Sequence, residues 1–268
     1  MNAFWLAQLK KDFLWAYSYK IAFFGQFFGI FITVFTFFFI SKTFAMSQST
    51  HLDQYGNNYF LFAIIGISLV DFISTSLRTA TKTIREAQAF GFIDIVLNAK
   101  ITPHYYVICS MIYPCCIGLI KVFLYLLVAN FFKDFDLSFT NVIYVALISI
   151  LTFMPFLGVG LLGASFVLIF KQGDPVNFFV TIFLTMLSGV LFPISVLPEA
   201  LRFFSSMIPV TYSLDILRKV IIFNSSDYIS LALIYYLLLF SAALFSIGVY
   251  TMGRTIVAIK LSGQSGRY

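Results

Sequence analysis

Six apolar runs, each long enough to cross a bilayer, leave this chain few folds to choose from. A hydrocarbon core of ~30 Å needs about 20 apolar residues in a helix. Residues 21–43, 58–80, 106–131, 141–170, 176–195 and 229–253 reach that length or exceed it. No water at that depth can satisfy a free backbone N–H or C=O, so each run is predicted as a helix. None alternates with the two-residue period of a membrane barrel strand. Charge is scarce, at 10% of the 268 residues, against about 25% in a soluble domain. The predicted fold class is an all-α membrane protein of six transmembrane helices, forming a single domain over 1–268 with no soluble domain inserted.

Orientation follows from Lys and Arg, which gather on the cytoplasmic side. With the N-terminus inside, the inner side holds Lys10, Lys11, Lys20, Arg78, Lys82, Arg85, Lys100, Lys171, Arg254, Lys260 and Arg267. The outer side holds Lys42, Lys133, Arg202, Arg218 and Lys219. Both termini are therefore expected in the cytoplasm, and the expected location is the inner membrane of a bacterium. The net charge of +6 is spread along the chain, not gathered into a patch, so it is assigned to topology and no nucleic-acid partner is expected.

The connections are unequal. Residues 1–20 mix Trp5, Trp15, Tyr17 and Tyr19 with Lys10, Lys11 and Lys20, which predicts a helix lying in the headgroup layer against membrane lipid. Residues 44–57 and 132–140 are outer loops. In the inner turn KQGDP, Gly173 suits the end of one helix, Asp174 the cap of the next and Pro175 its first turn. Residues 193–227 are strongly apolar, yet Pro193, Pro198 and Pro209 cut them into pieces too short to span. They are predicted as paired short helices re-entering the outer leaflet, with Glu199–Arg202 and Asp215–Arg218/Lys219 spaced for local ion pairs.

The stretch REAQAFGFIDIVLNAKITPHYY, from Arg85, is too polar to span and too apolar to be a solvated loop. Glu86, Phe90, Ile93 and Leu97 recur at helical spacing, which predicts a short amphipathic helix, with Gly91 a place to bend. Two ionisable residues fall inside spans, Asp71 in the second and Lys121 in the third. Such residues are functional candidates by default. Their depths differ by roughly 9 Å at 1.5 Å per residue, so either they pair or each is satisfied separately. Cys109, Cys115 and Cys116 lack metal-ligand spacing. His51 and His104 are assigned to opposite sides of the membrane, so no catalytic or metal site is predicted.

These features together resemble the permease subunits of type-2 ABC exporters along the whole chain. The matching stretches are LKKDFLWAYSYKIAFFGQFFG, REAQAFGFIDIVLNAKITP, FKQGDPV and FPISVLPEALRFFSSMIPVTYSLDILRKVI. In the middle one, Glu86, Gly91, Asp94, Val96, Leu97, Thr102 and Pro103 fit the family pattern, with Phe92 replacing its usual Thr. The resemblance implies a second permease copy, expected as a homodimer, and a separate ATP-binding subunit that holds ATP and Mg; no cofactor is expected in this chain. It makes 85–104 the coupling region and implies ATPase-coupling roles for Glu86, Phe90, Gly91, Ile93, Asp94, Leu97, Lys171 and Asp174. It implies a substrate path between first and fifth spans, with Phe27, Phe31, Phe35, Phe179 and Phe183 as candidate lining. No phosphate-cradling G-x-x-x-x-G-K-[ST] loop is present, so ATP hydrolysis is assigned to the partner. The tail LSGQS, from Leu261, imitates an ATPase signature but is read as solvated. The competing reading, an ion-coupled secondary transporter, calls for repeats and several midplane charges; only Asp71 and Lys121 answer to it.

Overall fold

The structure, a computed structural model, describes residues 2–44, 55–132, 135, 138–171, 173–224 and 230–262. His51, Lys133 and the tail beyond Ser262 lie outside them. Every regular element among the described residues is helical: α1 (Asn2–Ser18), α2 (Lys20–Phe44), α3 (Tyr59–Ala89), α4 (Ile93–Asn98), α5 (Pro103–Phe132), α6 (Phe139–Phe170), α7 (Pro175–Leu187), α8 (Glu199–Met207), α9 (Pro209–Phe223) and α10 (Leu231–Ser262), with a 3-10 turn at Ile194–Val196. Five of these, α2, α3, α5, α6 and α10, are long and apolar enough to cross a membrane.

Helix α3 is the hub. Its most apolar stretch is 83% buried within the chain, against 11% for α2 and 17% for α10. It packs on α5 and α6, and α10 lies along the far side of α6. Lipid tails are as apolar as a leucine side chain, so close backbone approach and van der Waals packing hold such helices together. The α6–α10 seam shows this directly. A Cβ added to Gly158 would stand 2.2 Å from the Leu244 carbonyl oxygen, and one on Gly248 would stand 2.5 Å from the Gly158 oxygen. Only glycine fits at both positions.

Three elements depart from the predicted boundaries: the last run, predicted to end at 253, continues as α10 to Ser262, and two others differ as follows. The second apolar run was predicted to end at 80, but α3 continues to Ala89 and carries Arg85 and Glu86 with it. The fifth run, predicted over 176–195, gives a helix of only 13 residues, about 20 Å long. Apolar residues continue past Leu187, but Gly189 takes φ +74 and a Cβ there would meet Ile194 Cγ1 at 2.9 Å. Hydropathy counts the residues and does not register the backbone reversal.

Candidate functional site

At its Ala89 end, α3 stops through a tight reversal. The Phe90 N–H donates to Glu86 O at 2.9 Å and the Gly91 N–H to Gln88 O at 3.1 Å. Gly91 has φ +74, a left-handed conformation that costs glycine nothing. The chain restarts as α4, which buries Ile93, Val96 and Leu97 against the bundle and exposes Asp94. The single helix face predicted for Glu86, Phe90, Ile93 and Leu97 is therefore split. Glu86 belongs to α3, Phe90 stands 75% exposed in the turn, and Ile93 and Leu97 point inward. Ile95, which the periodicity passed over, is 72% exposed on α4. The break at Gly91 is the reason: helical spacing cannot carry a face across a reversed residue.

The α6–α7 turn lies against this end of α3. Lys171 caps α6 in the left-handed region (φ 60), its N–H donating to Val167 O at 2.8 Å. The sequence reading gave that place to Gly173, which instead makes a second reversal at φ +75. Asp174 caps α7, accepting from the Asn177 N–H at 3.3 Å, from Asn177 Nδ2 at 2.7 Å and from Thr81 Oγ1 at 2.5 Å. Arg85 Nη2 donates to Gly173 O at 2.9 Å, and Gln88 Nε2 to Leu168 O at 3.2 Å. Thus the two stretches proposed for coupling, 86–97 and 171–174, are held side by side. Thr81, Arg85 and Gln88 make the junction, and sequence reasoning missed them. Their i, i+4, i+7 spacing on α3 was the available signal.

Hollows open on either side of α3. One, of about 550 Å³, lies between α3 and α7 and is bordered by Arg78, Lys82, Arg85, Asn177, Phe178 and Ile182. The other, of about 500 Å³, is walled by α1, α2, α3 and α5 and takes in Asp12, Trp15, Glu86 and Tyr106. Lys82 divides them, 3.4 Å from the Glu86 carboxylate and over the Trp15 ring at 4.9 Å. Burial raises the Asp12 carboxyl above its ordinary value, with Lys11 at 3.2 Å opposing the shift.

Deeper in the bundle Asp71 and Lys121 do pair, at 3.6 Å. The Lys121 side chain is almost fully buried and Asp71 about one-third exposed. The serines near Asp71 are engaged elsewhere, Ser74 with Thr181 Oγ1 at 3.3 Å and Ser68 with the Ile65 carbonyl at 2.9 Å. The candidate path aromatics do not enclose a channel in one chain. Phe31, Phe35, Phe179 and Phe183 are about half exposed on its outside, and Phe27 packs against the core. None of the five borders either hollow. Among the described residues no group of three potential metal ligands occurs.

A further polar centre sits near the Tyr59 end of α3. Of the local pairs expected in 193–227, Lys219–Asp215 forms at 2.7 Å. Arg202 instead donates to the carbonyls of Ser195 and Leu197. Arg218, only 2% exposed, reaches back into the bundle. It donates twice to Phe62 O, at 3.2 and 3.0 Å, and once to Val190 O at 3.0 Å. Its guanidinium lies 3.4 Å over the Phe62 ring. Burial pushes its pKa down to about 9, still above neutral pH, so it carries its charge. Gly66 makes room: a Cβ there would meet Val190 O at 2.6 Å and Arg218 Nη2 at 2.9 Å.

Long apolar helices packed about one buried hub define a multi-pass integral membrane protein. The family profile for ABC-2 type transporters matches residues 6–222, from within α1 almost to the end of α9. The chain belongs to that family, as the permease subunit of a type-2 ABC transporter. Comparison with curated proteins returns no match.

Proposed function

We propose that this permease is half of an ATP-driven exporter: two copies form the substrate path, and a separate ATP-binding subunit grips each from the cytoplasm. The observation that carries the reading is the α4 end of the bundle. Phe90 and Ile95 are large apolar side chains left open on a turn and helix outside any span. The element presenting them is anchored by buried Ile93, Val96 and Leu97. Its neighbour, the 171–174 turn, is bonded to the same stretch of α3. An exposed apolar knob on a fixed base suits a groove in a partner protein, and a push on it moves α3 directly. Glu86 takes a supporting part, holding Lys82 at the edge of this region. With both termini and this end in the cytoplasm, α8 and α9 lie in the outer leaflet. The half-exposed faces of α2 and α7, carrying Phe31, Phe35, Phe179 and Phe183, meet the second copy and lipid.

Co-reconstitution tests the proposal. Purified permease alone should hydrolyse no ATP, and the complex with its ATPase should do so and move substrate outward. Transport by the isolated chain on an ion gradient would overturn the reading. That alternative has one observation in its favour, the Asp71–Lys121 pair within the membrane, and the same experiment decides it.

A further inference from the structure

The hollow between α3 and α7 joins two chemistries along one line. Arg78, Lys82 and Arg85 stand at i, i+4 and i+7 on α3 and border it together. Phe178 and Ile182, 62% and 38% exposed, continue the same hollow along α7 away from the Asp174 cap. Asp174 is the one carboxylate among the described residues at its border, and three hydrogen bonds from Thr81 and Asn177 occupy it. The positive charge therefore exceeds the negative. Of the cations, Arg85 is held by Gly173 O and Lys82 by Glu86. The Arg78 guanidinium has no partner among the described residues and is exposed to the hollow. Thr81–Asp174, Asn177–Thr81 and Ser74–Thr181 bonds fasten α7 to α3, so the hollow is preformed.

Depth fixes where the charged end lies. From Tyr59, where α3 begins, to Arg78 is nineteen residues, about 29 Å of helix, close to the full thickness of a hydrocarbon core. With Tyr59 at one interface, Arg78 is at the headgroup level of the other, and Phe178 and Ile182 extend from there along α7. On the exporter reading that other interface is the inner leaflet. We infer that this hollow receives an amphiphile whose headgroup is a net anionic phosphate, from the inner leaflet. The phosphate is held by Arg78 with Lys82, and the tail lies along Phe178 and Ile182. The inference rests on the exporter reading for its orientation and names the class of cargo that reading leaves open. A guanidinium suits the task because its planar fork bonds phosphate oxygens two at a time.

The test uses full-length permease without its ATPase and without nucleotide, titrated with phosphatidic acid or phosphatidylcholine and read by native mass spectrometry. Phosphatidic acid should bind in preference. A cation near an anionic lipid surface is worth about fivefold in affinity, so Arg78→Gln should reduce that preference about fivefold and Arg78→Lys should restore part of it. Arg78 makes no side-chain bond to the described residues, so the variant should keep the wild-type gel-filtration profile. Lys10 and Lys100 are exposed outside the hollow, and Lys10→Gln/Lys100→Gln should leave the preference intact. Equal losses in both sets would show general attraction to a basic surface and overturn the site. Displacement by inorganic phosphate beyond that caused by chloride at matched ionic strength would make it a site for the free ion, and would overturn the amphiphile. Loss of phosphatidic acid preference in the wild type would reject the cargo class with ATP-driven export still standing. Failure of ATPase stimulation on co-reconstitution would reject export with the lipid site still standing.

Discussion

Replacing Arg218 by methionine removes the guanidinium and keeps most of the side chain's volume, so the result isolates its bonds. Three hydrogen bonds are lost, two to Phe62 O and one to Val190 O, together with the contact over the Phe62 ring. Phe62 O keeps its place inside α3, whereas the Val190 carbonyl lies in a non-helical turn and is left without this donor. A buried carbonyl stripped of its donor costs about 1–3 kcal/mol, a charge-assisted bond contributes about 1.5–3 kcal/mol, and a desolvated cation over a ring about 2 kcal/mol. Against these stands the relief of no longer burying a charge, which in other buried networks cancels much of the gain. A net loss of about 3 kcal/mol follows. At about 2–4 °C per kcal/mol for a chain of this size, the melting midpoint in detergent should fall by about 6–12 °C. Arg218→Lys should recover part of the loss: an ammonium can reach both carbonyls as Nη2 does, but it lacks the Nε donor and the flat guanidinium face over Phe62. A local readout accompanies the global one. With Cys109, Cys115 and Cys116 replaced by alanine, Val190→Cys should resist maleimide in the Arg218 protein and label faster once Arg218 is methionine. A midpoint within about 1 °C of wild type, with unchanged labelling, would show that the three bonds contribute nothing net.

At the α6–α10 seam, Gly158→Ala should lower the melting midpoint by the equivalent of about 1–3 kcal/mol, because its new methyl meets the Leu244 carbonyl; Gly253→Ala, with open space around it, should not. Breaking the intramembrane pair by Asp71→Asn leaves Lys121 buried without its counter-ion, a loss of about 3–5 kcal/mol, and Asp71→Asn/Lys121→Met should recover most of it in the same melting assay. For the coupling knob, Ile95→Asp should leave the melting midpoint within the scatter of surface changes, about 0.5 kcal/mol, yet abolish ATPase stimulation. Ile93→Asp, at 2% exposure, should destabilise the permease itself. Charge reversal at Glu86 should also uncouple ATP use from transport, read as hydrolysis without substrate movement.

Much of the architecture was legible because lipid leaves the backbone so little freedom. Five apolar runs of 23 residues or more became helices α2, α3, α5, α6 and α10. Apart from α3 and α10 running on past their apolar stretches, the errors share one physical origin. Hydropathy and periodicity describe side chains, and the misread places are set by backbone reversals: Gly91 splitting the predicted amphipathic helix, Gly189 shortening the fifth run, and Lys171 taking the left-handed cap predicted for Gly173. The polar contacts missed are of another kind. Arg218 to Phe62 and Val190, Thr81 to Asp174 and Gln88 to Leu168 join residues from 28 to 156 positions apart. No local pattern foretells such partners, and the i,i+3 spacing directed Arg218 toward Asp215 because it weighs only neighbours on one helix.

Those long-range contacts have a mechanical consequence for the proposed exporter. At one end α7 is bonded to α3 by Asp174–Thr81, Asn177–Thr81 and Arg85–Gly173. At the other, the turn after α7 and the start of α3 share Arg218 of α9 through Val190 O and Phe62 O. Midway, Ser74 meets Thr181. Helices α3 and α7 are thus fastened along their length, with α4 fixed below and α9 above. A displacement of α4 by an ATPase is then transmitted to the outer segment by one body, and coupling of this kind needs an element with two discrete arrangements. The seams free to change are the sparsely buried ones, along α2 and along α10, where only 11% and 17% of the apolar stretch is covered by the chain itself. Cross-linking α3 to α7 through Ser74→Cys and Thr181→Cys in the cysteine-free background should therefore leave ATP-driven transport nearly unchanged. A cross-link that stops transport while the protein stays folded would show that α3 and α7 separate during the cycle, and would refute motion as one unit.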